Sequence, residues 1–162
     1  MVFSSILFIT RFLPLVLAIY FIVPKRIRNL VLFLSSILFY AWGEPVYILL
    51  MCFTITVDYV FGIIIDKQIS AGKKTGAKVS LAAAVAINLL LLGFFKYTDF
   101  FLENLNDLGA QFPLLHIVLP LGISFFTITQ MVFLVDCYEG IAKERSLLHY
   151  ALFVSFFPHL LA

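Results

Sequence analysis

The sequence predicts an all-α membrane protein, a polytopic bundle of about five or six transmembrane helices with one amphipathic helix in the membrane interface. Of the 162 residues, 63% are hydrophobic and 12% are charged, and the mean hydropathy is +1.09. A soluble domain carries about a quarter charged residues, so lipid must cover most of this surface. The long apolar runs do not alternate apolar and polar residues, which excludes the strands of a membrane β-barrel.

Six apolar runs supply the predicted helices. A helix needs about 20 residues, within a range of about 17–25, to cross a hydrocarbon layer of about 30 Å. Four of the runs reach that length. The second needs its flanking residues from Arg28 to Gly43, and the last is still apolar at Ala162. The runs cover 3–23, 29–42, 45–65, 79–95, 114–135 and 147–162.

The positive charges predict the orientation of the bundle. Connections alternate sides, so 24–28, 66–78 and 136–146 share one side. These three connections hold nine of the eleven Lys and Arg residues, whereas the opposite side holds only Lys96 and the first helix contains Arg11. Cytoplasmic loops are enriched in Lys and Arg, so we expect a multi-pass protein of the cell (inner) membrane with its amino terminus extracytoplasmic. The nine residues are Lys25, Arg26, Arg28, Lys67, Lys73, Lys74, Lys78, Lys143 and Arg145.

The tripeptide 43-GEP-45 predicts a tight outer hairpin between the second and third helices. Gly43 is suited to end one helix, Glu44 to cap the next, and Pro45 to stand in its first turn, where a missing N–H costs nothing.

Two polar segments were assigned to the ends of the fourth helix. The cytoplasmic segment 66–78 contains two glycines and several lysines, which predicts a mobile loop. The outer segment 94–109 mixes Phe, Tyr and Leu with Asp, Glu and Asn. That composition predicts an amphipathic helix lying in the interface plane, and a structural collar is favoured over a binding site.

Ionisable and amide side chains inside the predicted helices are candidates for function because their burial in lipid is costly. Arg11 lies about two turns into the first helix, from where its side chain can extend to the interface. Asp58 lies inside the third helix, where it either makes a structural hydrogen bond or contacts a substrate in a polar cavity. Asn88 on the fourth helix is a candidate for an interhelical hydrogen bond. Arg11 and Asp58 are expected at different depths and are not predicted to pair.

The segment 119–140 combines helix-breaking and polar residues. Pro120 and Gly122 loosen its start, which leaves two readings open: a broken or re-entrant start of the helix, or ordinary helix packing. The polar residues predicted at mid-membrane depth are Ser124, Thr127, Thr129 and Gln130.

No motif in the sequence names a reaction. The three histidines, His116, His149 and His159, have no metal-ligand spacing and stand in no nucleophile motif, so no metal site is predicted. Cys52 and Cys137 form no CxxC pair and are interpreted as small buried hydrophobes. A net charge of +2 gives no reason to expect nucleic acid as a partner.

Several motifs in order resemble the amino-terminal portion of the membrane-bound O-acyltransferases of the alginate O-acetyltransferase type. The resemblance covers nearly the whole chain, with departures at Ile128, Thr129 and Glu139, and predicts that 1–162 is the amino-terminal part of one membrane-embedded domain. The matching residues are Pro24…Arg28-Asn29, 39-FYAWGEP-45, Asn88-Leu89, 95-FKY-97, 119-LPLGISFFT-127 and Asp136…Tyr138…Gly140, within a signature that opens at 3-FSSILF-8.

The resemblance implies transfer of an acyl group, most often acetyl, from a cytoplasmic thioester donor to an extracytoplasmic polysaccharide or cell-envelope polymer. The donor would be acetyl-CoA or an acyl carrier, and an extracytoplasmic acetyltransferase would be the partner protein. The family's catalytic histidine is expected beyond Ala162, so the resemblance assigns no catalytic residue here, His159 included, and the chain alone is expected to be inactive.

The sequence leaves open two functions from other classes. A complete small helical membrane protein could serve as scaffold or accessory subunit of an envelope or transport complex. A small transporter is disfavoured because the sequence shows no inverted repeat and no paired broken helices.

Overall fold

A computed structural model describes residues 8–43, 45–109, 112–120, 122–142 and 146–156. Within these ranges the chain forms six α-helices and no strand, which confirms the all-α prediction. A five-residue π-helical stretch, Phe8–Phe12, continues directly into the first α-helix. The α-helices are α1 (Leu13–Ile22), α2 (Arg28–Gly43), α3 (Ile48–Ser70), α4 (Lys74–Asp107), α5 (Ile123–Glu139) and α6 (Leu147–Ser155).

Helix α3 lies at the centre of the bundle. It packs against α4, α5 and α6, while α4 also packs against α5. The main apolar core forms where these helices meet, and Met51, Ile65 and Leu134 are fully buried in it. Helix α2 joins this group mainly through α6, and α1 packs on α2. The chain therefore has a tight group of three helices, α3 to α5, with the others at its edge.

The connection between α1 and α2 is held by one arginine. Arg28 Nε donates a hydrogen bond to the carbonyl oxygen of Val23 at 3.2 Å, and the guanidinium lies 5.1 Å from the centre of the Tyr20 ring. A second, smaller apolar cluster fixes the two helices above this turn, with Val16 and Phe39 buried. Arg28 thus acts within the turn, whereas Lys25 and Arg26 are exposed.

The prediction of a loop over 66–78 is wrong. Helix α3 runs to Ser70 and α4 begins at Lys74, so only three residues connect them. The turn is closed by the Lys73 N–H, which donates to the Gln68 carbonyl at 2.9 Å, and by the Ser80 hydroxyl, which donates to Gln68 Oε1 at 3.0 Å. Lys and Gln favour helices, so the polarity of this segment marks contact with water and not the end of a helix.

The segment 94–109 does not form a separate interfacial helix, which corrects that prediction. Residues 94–107 continue α4, whose 34 residues rise about 50 Å at about 1.5 Å per residue. No proline interrupts the helix, and its two glycines, Gly76 and Gly93, do not break it. The amphipathic part is therefore an extension of α4 beyond the length that a membrane requires.

The irregular segment 112–120 is bonded to the outer part of α4. The Asp99 carboxylate accepts hydrogen bonds from the Leu115 N–H at 3.0 Å and the Ile117 N–H at 2.8 Å. Tyr47 at the start of α3 donates to the Val118 carbonyl at 2.9 Å. Several backbone N–H and C=O groups of this non-helical segment are thus hydrogen-bonded to side chains of α4 and of the turn before α3.

The start of α5 is broken, which decides between the two readings of 119–140. The apolar run 114–135 is not one helix, because residues 114–120 are not helical and α5 begins only at Ile123. Gly122 makes this change of direction with a left-handed φ of 71°, which residues with a side chain rarely adopt.

The hairpin after α2 differs from its prediction in one detail. Gly43 is the last residue of α2, as expected, but α3 begins at Ile48. Pro45 therefore lies in the connecting turn and not in the first turn of α3. The capping role predicted for Glu44 falls outside the described residues.

Two described helices, α3 and α4, are long and apolar enough to cross a membrane by length and composition. The shorter apolar stretch Thr10–Ile22 lies below that length. Large apolar side chains are exposed on several helices, among them Ile22, Leu90 and Phe153. Exposed apolar surface of this extent needs lipid or further protein to cover it.

We predict that Gly62→Leu destabilises the bundle. A Cβ at this position would stand 2.8 Å from Phe133 Cε1, and the Phe133 ring is held by the Tyr150 ring with a centroid distance of 4.1 Å. The free energy of unfolding should fall by about 1–3 kcal/mol, measured by reversible unfolding in mixed micelles. Gly93→Leu is the matched control, since nothing lies within 4 Å of a Cβ there. An equal effect of the two substitutions would contradict close packing of α3 on α5.

Candidate functional site: a buried polar cluster of three helices

Four polar side chains meet inside the group of α3, α4 and α5, and we call them the polar cluster. Asp58 and Asn88 were singled out by the sequence as separate candidates, and Gln130 as one of several polar residues on 119–140. Thr54 joins them one helical turn before Asp58. All four are buried, with Asp58 only 1% exposed.

Asp58 and Asn88 connect α3 to α4. Asn88 Nδ2 lies 2.9 Å from both carboxylate oxygens of Asp58, and it also donates to the Ala84 carbonyl at 3.0 Å. The last bond ties the amide to its own helix and aims it across the interface. The interhelical hydrogen bond predicted for Asn88 is confirmed.

Gln130 connects α5 to the same carboxylate. With its amide oriented so that both ends are paired, Nε2 donates to Asp58 Oδ2 at 3.0 Å and Oε1 accepts from the Thr54 hydroxyl at 3.1 Å. The reverse orientation would set the amide oxygen against an oxygen of the carboxylate, two acceptors with no proton between them. The Asp58 carboxylate therefore accepts from amides of two different helices.

The polar cluster contains no cation and no nucleophile with a base. Within the described residues no ion pair reaches Asp58, and Arg11 is exposed at the start of the chain, so the two do not pair, as expected. The cavity beside the cluster, between Phe53 and Ile87, has a volume of about 10 Å³, which is room for one water at most. This geometry favours the structural reading of Asp58 over contact with a substrate.

Two further buried hydroxyls lack a hydrogen-bond partner in the described structure. They belong to Thr127 on α5 and Tyr150 on α6, each 1% exposed. The Tyr150 ring stacks on Tyr59 at 5.9 Å and packs on Phe133 at 4.1 Å. Tyr150 thereby holds α6 to α3 and α5.

Sequence reasoning missed Thr54 and Tyr150. For Thr54 a signal existed, because positions four apart on a helix share a face and Asp58 was already a candidate. For Tyr150 no pattern indicated a role, since it lies in the predominantly apolar run 147–162.

The structure does not bring the remaining candidates together. His116 is exposed in the irregular segment 112–120 and has a φ of 48°. His149 is exposed near the start of α6, and His159 lies outside the described residues. No group of metal-ligating side chains forms in the part of the chain described. The other candidates contact only neighbouring residues. The Thr129 hydroxyl donates to the Phe125 carbonyl at 2.9 Å, Lys96 lies over the Tyr97 ring, and Ser124 is half-buried. Both cysteines are free thiols, with Cys137 buried and Cys52 half-buried.

Comparison with known proteins finds clear relatives. The chain is 39% identical over 169 residues to the "Probable alginate O-acetylase AlgI" of Pseudomonas aeruginosa, an alignment that takes in 100% of the chain and 32% of the relative. The protein of that name in Azotobacter vinelandii is 38% identical, with 100% of the chain and 33% of the relative covered. The "Peptidoglycan O-acetyltransferase" of Helicobacter pylori is 38% identical over 194 residues, covering 100% of the chain and 36% of the relative. No family profile and no solved structure matches the chain.

The chain is therefore a homologue of O-acetylating enzymes, as the motifs indicated. More particularly, it is homologous over its whole length to the alginate O-acetylases and the peptidoglycan O-acetyltransferase, which confirms the resemblance to the membrane-bound O-acyltransferases. It spans about a third of the length of these curated relatives.

We predict that Asp58 and Asn88 are energetically coupled. Asn88→Leu leaves a buried carboxylate without one of its two amide donors, which should lower the free energy of unfolding by about 1–3 kcal/mol. Adding Asp58→Leu to that variant should cost less than Asp58→Leu alone, with a coupling energy of about 1 kcal/mol or more in a double-mutant cycle.

Asn104→Ala serves as the control for this cycle. Its exposed amide donates only to the Phe100 carbonyl of its own helix, so a change of less than about 0.5 kcal/mol is expected. Strictly additive effects of the Asp58 and Asn88 substitutions would show that the two side chains do not interact in the folded protein.

Proposed function

We propose that the chain is part of a membrane O-acyltransferase that transfers an acyl group, in the first place acetyl, to an extracytoplasmic polysaccharide or cell-envelope polymer. The observation that carries this proposal is the homology over the full chain to proteins named for the O-acetylation of alginate and of peptidoglycan. The nature of the acceptor follows from what these two names share, which is a glycan polymer.

The part played by residues 1–162 is that of a helical scaffold. The polar cluster satisfies its own hydrogen bonds, and among the described residues no side chains are arranged as nucleophile and base. A carboxylate that accepts hydrogen bonds from two other helices fixes the helices against one another, and this supports a structural role. We expect the family's histidine, as general base or as the group that orients the accepting hydroxyl, to lie beyond Ala162.

The proposed setting is the inner membrane, crossed by about five or six helices, with the amino terminus outside. The long helices α3 and α4 support it, and their connecting turn carries Lys73 and Lys74. In that orientation an acyl thioester, acetyl-CoA or an acyl carrier, would arrive from the cytoplasm. The product side would meet the polysaccharide and an extracytoplasmic acetyltransferase partner.

We predict opposite labelling of the two ends of α3. In a background of Cys52→Ala and Cys137→Ala, Val46→Cys should react in intact cells with a membrane-impermeant maleimide, because Val46 is exposed and lies outside in the proposed orientation. Lys73→Cys, in the exposed turn at the other end of α3, should react only after permeabilisation. Labelling of Lys73→Cys alone in intact cells would reverse the orientation.

We predict that acyl transfer requires sequence that this chain lacks. In proteoliposomes with radiolabelled acetyl donor, the chain alone should transfer no label. A chimera that continues at its carboxyl end with the corresponding remainder of the Pseudomonas aeruginosa relative should label added polysaccharide.

The matched control is the chimera supplied with labelled acetate, which is not a thioester. Transfer by the short chain alone would contradict the scaffold role, and His116, His149 and His159 would then be the first residues to substitute. A chimera that folds yet labels no glycan would count against the acyltransferase proposal itself.

A further inference from the structure

Helix α4 carries an exposed, mainly apolar face that repeats every seven residues, and we call it the heptad face. Its positions run from Ala83 to Leu108 in alternating steps of four and three residues, and the side chain at every one of them is exposed. One set of positions holds Ile87, Phe94, Phe101 and Leu108. The other set holds Ala83, Leu90, Tyr97 and Asn104.

The heptad face lies on a different side of α4 from the residues that hold this helix in the bundle. The buried residues of α4 are Ala77, Ala84 and Asn88. Asp99, which accepts hydrogen bonds from the segment 112–120, lies about three turns after Asn88 and therefore on the same side of the helix. Within the described residues, the heptad face is left open to whatever surrounds the bundle.

Lipid can cover only part of this face. In the proposed orientation the hydrocarbon layer begins after Lys78, and about 20 residues of helix cross its thickness of about 30 Å, which places the outer boundary near Thr98. Leu108 lies further along the helix, about 15 Å outside the hydrocarbon, and is 86% exposed. An apolar face that continues into water indicates a protein partner.

The seven-residue repeat indicates that the partner is a helix. Lipid sets no period on the residues that face it, whereas two helices that wind around each other keep their contact positions 3.5 residues apart on average. A straight helix drifts by about 20° per heptad from such a repeat. A repeat kept from Ala83 to Leu108 therefore favours a left-handed pair of helices.

We propose that two copies of this chain associate through the heptad faces of their α4 helices. Copies inserted in the same orientation have parallel α4 helices, and a two-fold axis along the membrane normal brings each heptad position against its own equivalent. The face contains no charged residue, so this pairing opposes no like charges. Its polar member, Asn104, already donates to the Phe100 carbonyl of its own helix at 2.7 Å.

The size of the contact supports a second copy as the partner. The aromatic rings of Phe94, Tyr97 and Phe101 are each about half exposed. Contact along the whole face would bury roughly 1,200 Å² in the two copies together, which reaches the range of specific interfaces. The proposal rests on the membrane placement proposed above, and it is independent of the acyltransferase assignment.

Disulfide cross-linking in cell membranes tests the pairing. In a background of Cys52→Ala and Cys137→Ala, Leu90→Cys places a thiol on the heptad face, and Leu89→Cys is the matched control on another side of the helix. Both leucines are exposed, by 74% and 52% respectively. Because equivalent heptad positions bring their Cα atoms within disulfide range, oxidation should cross-link Leu90→Cys at least about fivefold more than Leu89→Cys. Outside the hydrocarbon, Phe101→Cys and Glu103→Cys should show the same contrast.

A second measurement follows the affinity of the pair. Energy transfer between donor-labelled and acceptor-labelled copies, recorded as lipid dilutes the protein, gives the dissociation constant in the membrane. Phe101→Ala should raise this constant about tenfold. Phe153→Ala, which truncates an exposed phenylalanine of α6, should leave it unchanged. Both side chains are exposed, so these variants should retain the helical signal of the parent in circular dichroism.

Each contrary result overturns the proposal for a separate reason. Equal cross-linking of Leu90→Cys and Leu89→Cys would show random collision, and no cross-linking at either position would show separate copies. An unchanged dissociation constant in Phe101→Ala would place the contact elsewhere. Cross-linking of Leu90→Cys that is lost in the chimera described above would show that another part of the acyltransferase occupies the face. None of these measurements depends on acyl transfer.

Discussion

The Asp58 carboxylate sets the strictest physical requirement in this bundle, because it is buried among apolar helices and has no cation beside it in the described structure. A buried charge without hydrogen bonds is costly enough to prevent folding, so its partners must be in place. Asn88 from α4 and Gln130 from α5 both reach it within about 3.0 Å. A slip of one residue along either helix moves an amide by about 1.5 Å, which would break such a bond. The polar cluster therefore fixes the register of three helices at once.

The remaining helices depend on this group through packing. The absence of a side chain at Gly62 lets the Phe133 ring approach α3, and Tyr150 covers that ring from α6. Helix α2 then packs on α6, and α1 on α2. These helix contacts consist mainly of apolar packing, which depends less on direction than the hydrogen bonds of the polar cluster do.

The helical segments could be predicted wherever chain-breaking residues flank an apolar run. The second run, 29–42, agrees with α2 (Arg28–Gly43) to within one residue at each end. The agreement is close because Pro24 precedes the helix and Gly43 ends it. The predictions of a loop over 66–78 and of a separate helix over 94–109 are wrong, because both assume that a helix ends where the sequence becomes polar. Polarity reports on the surroundings of a side chain, whereas a helix continues as long as its backbone hydrogen bonds are unbroken.

For the candidate site, the sequence by itself determined which polar side chains lie in apolar segments. Asp58, Asn88 and Gln130 are polar residues among predominantly apolar neighbours in the sequence. It also determined the helical class and the likeness to O-acyltransferases, because both depend on patterns along the chain. Only the tertiary structure decided that these three side chains share one carboxylate, that α4 is continuous, and that α5 starts late. Those outcomes depend on distances of about 3 Å between segments far apart in sequence, and a one-dimensional pattern contains no such distances.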